Sequence, residues 1–219
     1  MFPDELSTRG NAVSTSQVKS NAAVAPVPWD MPTKAQLLEC HCACERREFR
    51  RGDYIFRRGE PFQALCILDE GIVKKSLAGI DGVEITRSFR VAGDILGLDS
   101  MGSSIHQFDV RALCNVSLSE FRYSSILAAC SRNQALGDRL TRAKASEIMR
   151  FRCWLTAMQV LRATERIGLF LREISLHDHT HCLTRALLRR SRREISRFLG
   201  VSSRQFTESL QQLPPGMAP

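Results

Sequence analysis

The sequence predicts an α+β chain of 219 residues: an N-terminal β-roll, one long helix and a C-terminal helix-turn-helix. Three observations carry this prediction. Short runs of alternating or apolar residues separated by glycines fill residues 47–121, the pattern of a small all-β fold. The period then lengthens to that of a helix with a narrow apolar stripe over residues 134–162. Last, residues 191–213, SRREISRFLGVSSRQFTESLQQL, read as two short helices around a glycine. The expected domains are a mobile arm (1–33), a β-roll (34–130), a long dimerisation helix (131–162) and a helix-turn-helix unit (163–219).

Residues 1–33 are rich in Ser, Ala, Val, Asn and Pro without helical or strand period, which suits an unfolded arm. A short helix is expected over residues 32–45. The runs REFRRG, YIFRRG, QALCILDEG, IVKKSLAG, VEITRSFRVAG and FDVRALCNVSLSEF follow, with Gly52, Gly59, Gly71, Gly79, Gly82 and Gly93 as turn points. Asp81-Gly82 is a hairpin signal. In the long helix Leu136, Leu140, Ile148, Phe151, Leu155 and Met158 form the stripe. A helix of this length and narrow apolar face packs on a second copy, on its own roll, or on both. Residues 163–175 form another helix.

In the C-terminal pair Ser191 and Glu194 are spaced as a capping box, Gly200 stops the first helix, and Ser202 with Gln205 spells a second box. Ile195, Phe198, Leu199, Val201, Phe206, Leu210 and Leu213 supply the apolar face. Ser202, Ser203, Arg204, Thr207 and Glu208 then lie near the start of the second helix, where a recognition helix meets base edges. Arg204 suits bidentate contact with guanine, and Glu208 suits a cytosine amino group or the orientation of Arg204. The chain carries a formal charge of +8, and between His181 and Pro219 seven arginines face only Glu194 and Glu208. Arg192, Arg193 and Arg197 are the expected phosphate contacts, so double-stranded DNA is the expected partner.

No segment reaches the ~20 apolar residues that span a bilayer, and the N-terminus lacks a secretory pattern. A cytoplasmic protein without membrane contact is therefore expected, with most of its eight cysteines acting as small buried hydrophobes. No G-x-S-x-G, P-loop or H-E-x-x-H is present, so no enzyme activity is expected.

Phe89-Arg90-Val91-Ala92-Gly93-Asp94-Ile95-Leu96-Gly97-Leu98-Asp99-Ser100-Met101-Gly102-Ser103, with Glu147-Ile148 and Glu165-Arg166, resembles the Crp/Fnr family of bacterial transcription regulators, in its Fnr branch. The resemblance covers about residues 46–213. It implies a cyclic-nucleotide-binding-like roll (a double-stranded β-helix), a homodimer, promoter DNA and RNA polymerase as partners, and a response to oxygen or redox state. Three departures qualify what it implies. Leu98 and His106 stand where cyclic-nucleotide members carry a ribose-binding Glu and a phosphate-binding Arg, so cAMP is not expected.

Oxygen-sensing members hold a [4Fe–4S] cluster. Here the thiols are Cys40-His41-Cys42-Ala43-Cys44, placed almost directly before the first strand, and Ser119 stands at the family's fourth position. Cys114, five residues earlier, falls on the opposite strand face by parity. Three readings stay open: a rearranged cluster with Cys114 or Cys66 as fourth ligand, a thiol redox sensor using Cys40, Cys42, Cys44 and Cys114, or no metal. Finally, Arg204, Thr207 and Glu208 replace the family's usual base-reading residues, so a different operator is expected. Pro214 to Pro219 stands where a β-hairpin wing normally follows, so a truncated wing is expected. A roll that binds a ligand or partner without DNA is the alternative.

Overall fold

The protein is described here by a computed structural model, which defines residues 31–79, 81–175, 188 and 191–211. The expected mobile arm lies outside these residues but for its last three, and so do Leu213 and the expected truncated wing. Thr33 and Gln36 exchange side-chain and backbone hydrogen bonds and so start helix α1, Lys34–Glu39. The helix is shorter than the expected 32–45: it closes at Cys40, His41 takes a positive φ of 57°, and Cys44 opens the first strand.

Eight strands follow among the described residues: β1 Cys44–Phe49, β2 Tyr54–Phe56, β3 Ala64–Glu70, β4 Ile72–Ala78, β5 Glu84–Val91, β6 Ile95–Leu96, β7 Asp109–Ala112 and β8 Val116–Arg122. They form two antiparallel four-stranded sheets, ordered β1-β8-β3-β6 and β2-β7-β4-β5. Leu68, Val73, Val110, Ala112 and Leu118 lie between them, each at most 1% exposed. Gly71 alone joins β3 to β4, with φ 95°, and a Cβ there would come within 2.6 Å of the Asn115 carbonyl oxygen. Only glycine meets both conditions cheaply. The expected hairpin at Asp81-Gly82 is present, with Gly82 at φ 71° and β4 paired to β5 from Ala78 and Glu84 onward.

One strand expectation is corrected. Residues 108–121 read as a single run, but the chain breaks after Ala112, and Leu113 and Cys114 occupy a bend before β8. Parity counted along one strand therefore does not apply to Cys114. The turn is invisible to a count of apolar residues because Leu113 and Cys114 still pack against the core.

Helix α2, Tyr123–Arg132, leads into α3, Gln134–Val160, whose N-cap Asn133 accepts from the Leu136 amide at 3.2 Å. The stripe on α3 divides in two. Leu136 and Leu140 are buried against the roll, whereas Ile148, Phe151 and Leu155 are 54, 40 and 47% exposed in the single chain. Helix α4, Ala163–Ser175, buries Ile167, Phe170, Leu171 and Ile174 beside Trp154 and Phe89. Two further helices, α5 Arg192–Leu199 and α6 Ser203–Gln211, close the described chain. Among the described residues no helix is long and apolar enough to cross a membrane.

Candidate functional site

Helices α5 and α6 meet through Gly200-Val201-Ser202. Gly200 takes the left-handed conformation at φ 63°, and the Val201 amide bonds back to the Ser196 carbonyl at 2.9 Å. The turn is held from below by Arg166 of α4, which donates to the Gly200 carbonyl at 3.3 Å. Ile195, Leu199, Phe206 and Leu210 are at most 4% exposed and form the seam. Each such side chain contributes roughly 1.5–3 kcal/mol by leaving water. Phe198 is partly buried and reaches the roll, edge-on to Phe89 with ring centres 5.6 Å apart.

The box at the start of α6 forms as expected: the Gln205 amide donates to Ser202 Oγ and the Ser202 amide to Gln205 Oε1, both at 3.1 Å. The box expected at the start of α5 does not form. Ser191 is 6% exposed and its side chain caps nothing. Glu194 instead takes a 2.8 Å ion pair with Lys74 of β4, which is itself 2% exposed and also pairs with Glu84 at 2.8 Å. A buried ammonium without carboxylates costs far more than an uncapped helix end, so it claims Glu194.

Arg204 is 88% exposed on α6 and its Nε donates to Glu208 at 2.7 Å one turn on, so Glu208 does orient the guanidinium. Ser202 and Ser203 are exposed, and Ser203 Oγ also lies 3.3 Å from Ser196 Oγ across the turn. Thr207 is half-buried and its hydroxyl donates to the Ser203 carbonyl, which aims it along the helix. Arg192, Arg193 and Arg197 are exposed on α5. Arg192 also donates to the Leu188 carbonyl at 3.3 Å, and Arg197 borders a cleft with Arg87 and Phe151.

At the roll's turn, Leu98 is 1% and His106 6% exposed. The His106 ring stacks on Phe56 at 3.7 Å and meets Phe62 edge-on. Burial pushes its pKa down, against the raising pull of Asp99 and Glu60, so this position holds a neutral packed ring. Beside it lies an ionic group whose pairing is not legible in the sequence pattern. Arg90 and Lys75 both reach Glu147 Oε1 of α3, at 2.5 and 3.0 Å, and Lys75 also pairs with Asp99 at 3.2 Å. Burial opposes the charge on Glu147, yet Arg90, Lys75 and Arg150 more than offset it and hold the carboxyl far below its usual range. The group borders a cavity of about 250 Å³ that Phe108, Ile148 and Phe151 also line. Arg90, Asp99 and Glu147 stand in the motifs quoted above and Lys75 in Lys74-Lys75 inside an apolar strand, but nothing local marks them as partners.

The cysteines among the described residues are not assembled as a [4Fe–4S] site. Cys40 is half-buried at the end of α1, Cys42 is 4% exposed with its thiol 3.9 Å from the Ser125 carbonyl, and Cys44 is exposed on β1. Cys66 and Cys114 pack in the roll interior, away from the apolar cluster that holds Cys40 and Cys42. Burial, with Glu120 nearby, pushes the Cys66 thiol up to about 12. At the family's fourth position, Ser119 is fully buried and donates to Asp69 at 2.6 Å. No group of three or more metal-ligating side chains occurs among the described residues. The thiol that does join Cys40 and Cys42 in their cluster is Cys130, which sequence spacing did not indicate.

Residues 46–133 match the cyclic nucleotide-binding domain family. The chain is 26% identical over 178 residues to the transcriptional regulatory protein btr of Bordetella pertussis, covering 80% of this chain and 74% of that protein. It is 25% identical over 171 residues to the transcriptional activator protein Anr of Pseudomonas protegens, covering 75% and 70%. The fold is shared with FixK2 from Bradyrhizobium japonicum, with a TM-score of 0.64 at 22% identity over 78% of this chain and 84% of that one.

Proposed function

Because the chain belongs to the Crp/Fnr family of regulators, in its Fnr-type branch, we propose that it is a homodimeric, DNA-binding transcription regulator that responds to oxygen or redox state. The observation that carries DNA binding is the exposed start of α6, where a formed capping box presents Arg204 already oriented by Glu208. In this reading α5 and α6 are a helix-turn-helix. Arg204, Glu208, Thr207, Ser203 and Ser202 face base edges, and Arg192, Arg193 and Arg197 face phosphates. The exposed half of the α3 stripe, Ile148, Phe151 and Leu155, is the surface for the second copy. Two recognition helices then address half-sites one DNA turn apart. RNA polymerase is the partner that turns promoter occupancy into a change in transcription.

The cysteine placement does not fit a [4Fe–4S] cluster, so the redox part of the proposal rests on thiol chemistry beside α3. A change there reaches DNA by altering how α3 packs and how the two recognition helices are spaced. Selection of bound sequences from random duplex DNA, followed by gel shifts at rising salt, tests the proposal. A recovered palindromic site and a steep fall of affinity with salt are expected. Recovery of no sequence under reducing and oxidising conditions alike overturns it and favours a roll that works through a protein partner.

A further inference from the structure

Three thiols converge where α1, α2 and α3 meet, and the helix-capping contacts of that corner pass through one of them. Cys40 is the C-cap of α1. Asn133, the N-cap of α3, donates its side-chain amide to Cys40 Sγ at 3.5 Å while its own Oδ1 accepts from Leu136. The Asn133 backbone amide bonds to the Ala129 carbonyl, so Asn133 closes the last turn of α2, the turn that carries Cys130. Cys130 Cβ in turn lies 3.6 Å from where a Cβ on Gly137, in the first turn of α3, would sit. Cys40, Cys42 and Cys130 all pack in the one apolar cluster that includes Leu136 and Leu140. Cys40 and Cys130 are half-buried and within reach of a small oxidant, whereas Cys42 is 4% exposed.

From this juxtaposition we infer that Cys40 and Cys130 are a peroxide-oxidisable thiol pair that joins the end of α1 to the α2–α3 corner by an intrachain disulfide. The inference deepens the redox reading above and rests on it for its regulatory meaning. In the first step the Cys40 sulfur attacks one oxygen of hydrogen peroxide. An S–O bond forms, the O–O bond breaks, and the departing hydroxide takes the thiol proton to become water. In the second, the Cys130 sulfur attacks the sulfenic sulfur of Cys40; the S–S bond forms, the S–O bond breaks, and the departing hydroxide leaves as water with the Cys130 proton. Each sulfur is oxidised by one electron, and the two peroxide oxygens are reduced by two in total.

The disulfide draws Cys40 off Asn133 and so changes the cap that starts α3. Cys42 stays reduced because its thiol is enclosed, only 4% of the residue being exposed. Cys44 lies outside the cluster on the exposed face of β1.

The test uses the full chain, reduced and then treated with one equivalent of hydrogen peroxide. Free thiols are blocked in denaturant and the peptides mapped by mass spectrometry. Loss of two of the eight thiols per chain, a Cys40–Cys130 crosslinked peptide and its reversal by dithiothreitol are expected. Cys130→Ser is expected to stop at a dimedone-reactive Cys40, while Cys42→Ser keeps the crosslink. No thiol loss in the unaltered protein, or a crosslink through Cys44 or Cys114, overturns the inference. Gel shifts separate it from the wider reading. A formed crosslink with unchanged DNA affinity leaves the pair standing and sinks redox control, whereas a peroxide response that persists in Cys130→Ser removes the pair as the switch.

Discussion

Lys74 on β4 and Glu194 on α5 meet at 2.8 Å although 120 residues separate them, and the ammonium is only 2% exposed. The contact ties the first helix of the C-terminal pair to the β2-β7-β4-β5 sheet of the roll. Glu84 completes a fork around the same ammonium and also accepts from Ser76 at 2.7 Å.

Removing both carboxylates strands that buried charge. Glu84→Gln with Glu194→Gln is expected to cost about 3–5 kcal/mol in urea unfolding. Glu194→Gln alone is expected to cost under about 1.5 kcal/mol, because Glu84 still holds the lysine. A strongly non-additive pair confirms the fork; simple addition of two small losses shows that water already solvates Lys74.

Acid acts through two groups with separate windows. His106 has a folded pKa below its unfolded value of about 6.5, so its contribution is complete above that pH and is lost as pH falls through the folded value. Glu147 is likewise depressed, and its contribution is present above about 4.3 and drains away below. Unfolding free energies measured from pH 8 to 3 are expected to fall in two stages. His106→Phe removes the upper stage and Glu147→Gln the lower. A flat profile between pH 7 and 5 for the unaltered protein contradicts the His106 assignment.

The exposed stripe on α3 predicts an oligomeric effect without a folding effect. Ile148→Glu with Leu155→Glu, at positions 54 and 47% exposed in the single chain, is expected to yield a monomer in sedimentation velocity with unchanged far-ultraviolet circular dichroism. A double variant that still sediments as a dimer moves the interface elsewhere.

At the proposed DNA surface, Arg204→Ala is expected to lose roughly 1–3 kcal/mol on the selected site and to relax preference at one base pair. Arg193→Ala is expected to weaken all sequences alike and to lower the salt slope by about one. Competition gel shifts with single-base operator variants distinguish the two patterns. Equal, sequence-independent losses for both variants make Arg204 a phosphate contact.

Local signals are legible in the sequence itself. The period of α3, the glycine stop at Gly200, the Ser202–Gln205 box and the Asp81-Gly82 hairpin each rest on residues within a few positions of one another, where propensity and capping act. The family motif at residues 89–103 was equally plain, because its glycines and Asp94 shape one turn: Asp94 accepts from the Val91 amide at 2.9 Å.

What the tertiary structure alone decided involves partners far apart in the chain. The Ser191–Glu194 spacing promised a cap, yet Lys74 took Glu194, since the cost of a lone buried ammonium is not visible in a local window. Residues 108–121 alternated like one strand but bend at Cys114, which voids a parity count. The cysteine run at 40–44 suggested a shared site, and folding sent its members to a half-buried helix end, a buried core position and an exposed strand. Cys130, silent in the spacing, joined Cys40 and Cys42 instead. Sequence thus determined elements and pairs whose energetics are local, Arg204 with Glu208 among them, and the fold decided the buried charge pairings and which thiols share a cluster, because those depend on which distant groups are desolvated together.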